Sequence, residues 1–537
     1  MVFVFVWCLC LLLHVRCFIC MYGAIPYLVA REAATASSRP ASVASRGRRV
    51  FVVVVARAPR AFVRGASSIE GRIESMVSNA MDAGESTAST SGASWRAVAP
   101  FAMITVVASY VALERGTRAV CGKLAYFYVP SVDEEPTPAG RGAAKRAARE
   151  RAEAKEMATT TVARVDLRFE SLRRRILYPE LDQVVFLTCV LAANGGGAAT
   201  ADRAFGTRDG LTPVMAMFGV VLALKALFSA YMDARVTPGT ERKIAVAFAF
   251  AAWMASTFVV FLAPSAVVDF RLVRAANDFN TSLERYAARM AMTSGATLTP
   301  PRVTVLHVGL TYSIFAAVVA GLLFASVIRV IKCYLLATQM PEWANKYAGT
   351  FAVPSWRKFI LRTAFAAPLM SLVVSAPSMV AEPLGLSPRA ERDARCGVLV
   401  VSGLCLLMSV HPLLQAYLDS GLITWYEVKE GNDKERLTET ERAVVERQLG
   451  VTNHLVCKVA LQIAAPALLL LSCGIGAWCY DSIDVTESTL SRGLVPPTVA
   501  ASAFYAVGWF ACAWSVVVGA STIAFSQPKA LFANLVR

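Results

Sequence analysis

Residues 303–328 read VTVLHVGLTYSIFAAVVAGLLFASVI, a run without one Asp, Glu, Lys or Arg. Its apolar residues follow neither the alternation of a half-buried strand nor the stripe of an amphipathic helix. A helix rises about 1.5 Å per residue and a bilayer core is roughly 30 Å thick, so a block of this length reads as a transmembrane helix. Eight more blocks of similar character occur at 98–113, 183–200, 211–232, 244–268, 363–381, 396–417, 458–480 and 498–525. The block at 183–200 is the weakest. It contains Asn194 to Gly197 (NGGG), and each interior Gly costs a helix about 1 kcal/mol relative to Ala. The expected fold is therefore an all-α polytopic transmembrane helix bundle with eight or nine spans plus a hydrophobic N-terminal leader.

Composition agrees. The 537 residues are 56% hydrophobic and 17% charged, with a mean hydropathy of +0.51, against about 25% charged residues in soluble domains. The net charge of +16 could suggest a phosphate backbone as partner. However, 52 of the 54 Lys and Arg lie outside the apolar blocks, as expected of loops that set membrane topology. Nucleic acid is excluded as a partner on that ground, and the bilayer is the expected one. The 13 Cys are odd in number and sit mostly inside apolar blocks, which is not a disulfide framework. Cys17 and Cys20 form a CxxC inside the leader without a second ligand pair, so no metal is expected there.

Two regions are expected. Residues 1–95 comprise an apolar leader (MVFVFVWCLCLLLHV, 1–15) and an Arg-, Ala- and Ser-rich extension, a targeting-type composition. A signal or signal-anchor, an organellar transit sequence, and sequence upstream of a true start at Met76 or Met81 all fit it. Residues 96–537 form the multi-pass domain, with large loops at 114–182 and 418–457. Counted over nine spans, 30 Lys and Arg fall on the side of those loops and the C-terminus, and 11 on the other. The positive-inside rule then places the C-terminus in the cytoplasm. The one N-x-[ST] acceptor, Asn280-Thr281-Ser282, falls in an outer loop and is the expected glycosylation site.

Within the large loops, residues 139–158 read as a charged, solvated helix. Val165, Leu167 and Phe169 alternate with charges, as in a strand with one buried face that needs a partner. Thr438 and Glu441 form a capping box ahead of a helix with Val444, Val445 and Leu449 on one face and Gly450 to end it.

Ionisable groups inside spans are the natural functional candidates, because their desolvation must be compensated. Lys225 lies well inside the third span and could serve a transport path or snorkel to an interface. His307 and His411 lie near span ends, Lys458 and Arg362 flank spans, and Gln415, Tyr417 and Gln462 could line a polar path or hydrogen-bond between helices. Pro264, Pro368, Pro412 and Pro466 could break helices around a site. Arg271 with Arg274, and Arg329 with Lys332, have voltage-sensor spacing but sit at loop edges. No HExxH, P-loop or paired acidic motif occurs, and four His do not make a His-rich centre. No catalytic residue, cofactor or metal is expected.

Several short stretches, taken in order, resemble the transmembrane protein 161 family of multi-pass proteins: LALKALFSA (222–230), Glu241-Arg242 leading into Phe248 and Phe250, the Asn280 sequon, Ala366 to Leu369 (AAPL), Leu414 to Leu418 (LQAYL), Ala460-Leu461-Gln462 and Ala465-Pro466. The resemblance runs from about Phe101 to the end, and Lys225 matches the family's lysine. Residues 1–95 have no counterpart, and the loop between the last two spans is shorter than the family's. The resemblance implies no assigned catalytic activity, and an association with oxidative-stress protection and with modulation of cation currents. The expected function is thus non-catalytic, with other membrane proteins such as channels as partners, in the secretory pathway or plasma membrane. The alternatives are a transporter or channel using Lys225, and a membrane transferase built around His411 or His454.

Overall fold

The computed structural model describes residues 103–129, 162–205, 211–232, 239–294, 300–338, 354–431, 439–481 and 496–526. The leader, the charged segment 139–158 and Thr438 lie outside the described residues.

The chain opens with helix α1 (103–121), which passes through a π-helical turn at Ala112–Gly116. Strand β1 (Ala125–Tyr128) pairs antiparallel with β2 (Ala163–Asp166), with Ala125 opposite Asp166. A short helix α2 (Phe169–Arg173) follows. The long helices are α3 (Tyr178–Phe205), α4 (Leu211–Met232), α5 (Gly239–Leu262), α6 (Leu272–Ser294), α7 (Val305–Thr338), α8 (Ser355–Ser375) and α9 (Pro388–Gly431). Last come α10 (Glu439–His454), α11 (Val456–Asp481) and α12 (Pro497–Ser526). Eight of these, α3, α4, α5, α7, α8, α9, α11 and α12, are long and apolar enough to cross a membrane. The described part of the predicted first span is α1, whose Met103, Val106, Val107 and Tyr110 are exposed, as suits a lipid-facing flank.

Helix α11 is the core. Its apolar window is buried on every side, enclosed by α3, α4, α7, α9 and α12. A helix apolar all round belongs inside a bundle. Small residues bring its neighbours close. A Cβ on Gly403 of α9 would lie 2.8 Å from the Ala467 carbonyl oxygen of α11, and one on Gly474 of α11 would lie 2.9 Å from the Cys396 carbonyl oxygen of α9. The antiparallel pair α9 and α11 thus meets backbone to backbone at two levels, the small-residue packing usual in membrane bundles.

The structure corrects several expectations. Span two is a continuous 28-residue helix, and its glycines serve packing: Cβ atoms on Gly195 and Gly197 would lie 2.5 Å and 2.9 Å from Ile475 and Ile104 side-chain carbons. Pro368, Pro412 and Pro466 sit inside unbroken helices, a placement tolerated in membrane helices. Pro264 lies just beyond the end of α5. Arg329 and Lys332 belong to α7 rather than a loop edge, because the helix continues to Thr338. The strand expected at Val165 finds its partner in β1 but ends at Asp166, with Val165 exposed and Leu167 buried. On α10, Val445 and Leu449 are buried whereas Val444 is exposed, and the helix continues through Gly450 to His454.

Candidate functional site

Two ends of the bundle differ in chemistry. At the end carrying β1, α10 and the starts of α8 and α11, three turns of α9 present polar groups on one face. His411 Nε2 lies 3.0 Å from the Gly122 carbonyl oxygen. One turn on, Gln415 Oε1 accepts from the Ala125 N–H at 3.0 Å while its Nε2 donates to the Ala125 carbonyl at 3.0 Å and to Asp419 Oδ1 at 2.8 Å. Spacing of four residues puts such groups on one helix face. Together they hold the turn between α1 and β1, which includes Lys123 at φ +60°, a conformation seldom adopted by residues other than Gly.

Beside this clamp opens a cleft of about 630 Å³. Arg118 and Lys123 line it from α1 and the turn, Arg357 from the first turn of α8, and His411 from α9. None of its described lining residues is acidic. Arg118 lies 5.6 Å from the centre of the Phe169 ring and Arg357 5.2 Å from that of Trp356, cation–π contacts that hold both guanidinium groups without neutralising them. Among the described residues, none of Arg118, Lys123 and Arg357 forms an ion pair. Ile360 and Met408 add apolar side chains to the same lining. His411 Nδ1 is buried without a hydrogen-bond partner. As Nε2 faces a carbonyl it is the donor nitrogen, which leaves Nδ1 the open position of the ring.

At the opposite end, Arg271, Arg274, Arg392 and Arg395 have carboxylate partners. Asp481, closing α11, receives Arg271 at 3.5 Å and Arg392 at 3.4 Å. Arg274 pairs with Asp278 at 3.8 Å, and Arg395 pairs with Glu391. The four arginines and Asp481 line a small cavity of about 50 Å³. Asn280 also lies at this end, inside α6 rather than in a loop. Its Nδ2 donates to the Val303 carbonyl at 2.9 Å and its Oδ1 accepts from the Val303 N–H at 2.8 Å. The side chain therefore clamps α6 to the lead-in of α7.

The remaining sequence candidates are dispersed. Lys225 is partly exposed on α4 and, among the described residues, makes no hydrogen bond or ion pair. His307 bonds locally to Thr304 Oγ1 at 2.6 Å. Tyr417 packs against the main core. Gln462, 2% exposed on α11, accepts from Arg329 Nη1 at 2.6 Å. Lys458 is buried, while Arg362 and His454 are exposed. Sequence reasoning missed Arg118, Lys123, Arg357 and Asp419. The three cations are indistinguishable in sequence from ordinary span-flanking charges, and only the turn held by His411 and Gln415 brings them together. Asp419 lies two residues beyond the predicted end of its span, although its four-residue spacing from Gln415 was a usable signal. Among the described residues, no group of three His, Cys, Asp or Glu could hold a metal ion.

The enclosed apolar core helix, the apolar crossing helices around it and the charged groups gathered at both ends define an integral multi-pass membrane protein of all-α architecture. The family described as predicted transmembrane protein 161AB matches residues 211–484, just over half of the chain, and the chain belongs to that family. The matched region contains every stretch on which the resemblance was drawn, from Leu222 to Pro466, and starts later than Phe101. No curated protein and no solved structure matches the chain.

Proposed function

We propose that the protein is a non-catalytic membrane component that modulates ion transport or stress responses through contacts with other membrane proteins. The observation carrying this reading is the enclosure of α11, which runs unbroken through Pro466 and is surrounded by five helices. Several polar groups in the interior are paired with one another. Arg329 meets Gln462, Ser371 Oγ lies 2.8 Å from Ser402 Oγ, and Tyr312 Oη lies 2.5 Å from Ser502 Oγ. A transporter of the broken-helix type instead presents unwound backbone to its substrate near the midplane. Helix α5 supplies a surface for contacts: only 22% of its apolar window is buried, with Phe250, Phe258 and Leu262 outward.

The orientation proposed with this reading puts the C-terminus and the basic cleft on the cytoplasmic side, in a membrane of the secretory pathway or the plasma membrane. It rests on the excess of loop cations at that end. The alternative, a transporter or channel in its own right, draws on Lys225, whose ammonium lacks a partner among the described residues. Reconstitution of the full chain into liposomes, with ion flux followed for the wild type and Lys225→Ala, separates the two. Regulation by contact predicts flux at the level of empty liposomes for both proteins. Flux in the wild type, above all flux lost in Lys225→Ala, overturns it.

A further inference from the structure

We infer that the cleft between α1, α8 and α9 binds the phosphate headgroup of an anionic membrane lipid. Three features of the cleft converge on that chemistry. Among the described residues it carries three cations, Arg118, Lys123 and Arg357, and no acidic lining residue, a local excess of positive charge that an anionic ligand would neutralise. Guanidinium groups suit phosphate because their N–H donors match its oxygens in pairs. The cleft volume of about 630 Å³ falls within the range of small-molecule sites.

The lining is also amphiphilic. The cations and His411 share the lining with the apolar Leu167, Ile360 and Met408. Trp356, 59% exposed, stands at the rim where α8 begins, the usual position of a tryptophan at a membrane interface. A free inorganic anion would use only the polar part. A phospholipid with a net negative charge uses both kinds of lining, its phosphate against the cations and the first carbons of its acyl chains against the apolar side chains. Basic pockets between helices at the cytoplasmic leaflet are a known way of holding such headgroups.

The geometry is also built, not incidental. The Lys123 backbone is held at φ +60°, a sparsely populated conformation of the kind that concentrates at functional sites. The clamp from Gln415 to both backbone groups of Ala125 keeps that turn in place. This inference is independent of the proposed regulatory role, since it concerns what occupies the cleft and not what the bundle does.

The test uses the detergent-solubilised full chain titrated with fluorescent short-chain phosphatidic acid. Phosphatidylcholine of the same chain length and inorganic phosphate serve as competitors. Saturable binding of phosphatidic acid is expected, weakened about tenfold in Arg118→Gln and again in Arg357→Gln. Arg285→Gln, the same charge change on exposed α6 at the far end, is expected to leave binding unchanged. Thermal melting of each variant separates loss of the site from loss of the fold. Binding unaltered in the Arg118→Gln, Arg357→Gln double variant overturns the site. Displacement by inorganic phosphate as effective as displacement by unlabelled phosphatidic acid overturns the lipid assignment, and displacement by phosphatidylcholine overturns the requirement for net charge.

Discussion

Arg329 and Gln462 show how one pair organises a membrane interior. The guanidinium enters from α7, and the amide oxygen waits on the buried α11 at 2.6 Å. Removing Arg329 strands the buried Gln462 amide, and removing Gln462 leaves the half-buried Arg329 without its bond, a penalty of about 1–2 kcal/mol for groups of this kind in membranes. Gln462→Leu and Arg329→Met should each destabilise the bundle by that amount. The double variant should lose less than the sum, measured by denaturation in mixed micelles. Cys121 offers a second residue-level expectation. Its side chain is 1% exposed, and burial pushes the thiol up to about 12, with Cys457 and Asp182 nearby acting in the same direction. Because the thiolate is the nucleophile, Cys121 should stay unmodified by maleimide at pH 8 in the folded protein and react after denaturation, as read by mass spectrometry.

At the scale of elements, the packing of α9 on α11 depends on having no side chain where the backbones touch. Gly403→Leu or Gly474→Leu would drive a side chain into the partner's main chain, and overpacking of this kind costs about 1–3 kcal/mol. Gly196, with no atom within 4 Å of an added Cβ, is the control. Gly196→Leu should express and melt like the wild type, while the other two should lose yield and melting temperature. The contrast also explains what the sequence could convey. Hydropathy located the crossing helices because the bilayer demands apolar residues over a fixed thickness. It could not tell that Gly195 and Gly197 serve close approach, since a glycine in a weak helix and a glycine at a helix interface look alike in one chain. Helix ends were illegible for a related reason. Helix α9 runs 44 residues, far past its apolar block at 396–417, and hydropathy reports the slab and not the helix that overshoots it. The clamp formed by His411 and Gln415 was half legible: both residues stood out as polar groups in a span, but their partners in the β1 turn are about 290 residues away in sequence.

Among the described residues the bundle has two chemically distinct ends, one with cations lacking ion pairs around the cleft and one where four arginines are paired with Asp481, Asp278 and Glu391. If the first faces the cytoplasm, an epitope appended to the C-terminus should be accessible in plasma-membrane-permeabilised cells whose internal membranes are intact. The same orientation puts Asn280 on the lumenal side, where a shift in mobility after endoglycosidase treatment would report a glycan. Attachment there requires its pair of hydrogen bonds to Val303 to open first, so Asn280→Gln should both abolish any shift and loosen α6, the latter read as faster hydrogen exchange.

The enclosure of α11 carries a consequence for biogenesis. Four of the helices that surround it, α3, α4, α7 and α9, are synthesised earlier, and α12 is made last. Until residues 456–481 leave the ribosome, the nascent assembly lacks the helix around which the others pack. Maturation is therefore gated at the C-terminal pair of helices. A chain interrupted anywhere before α11 would present its small-residue grooves to the bilayer and to the quality-control machinery, however well its first six crossing helices had inserted.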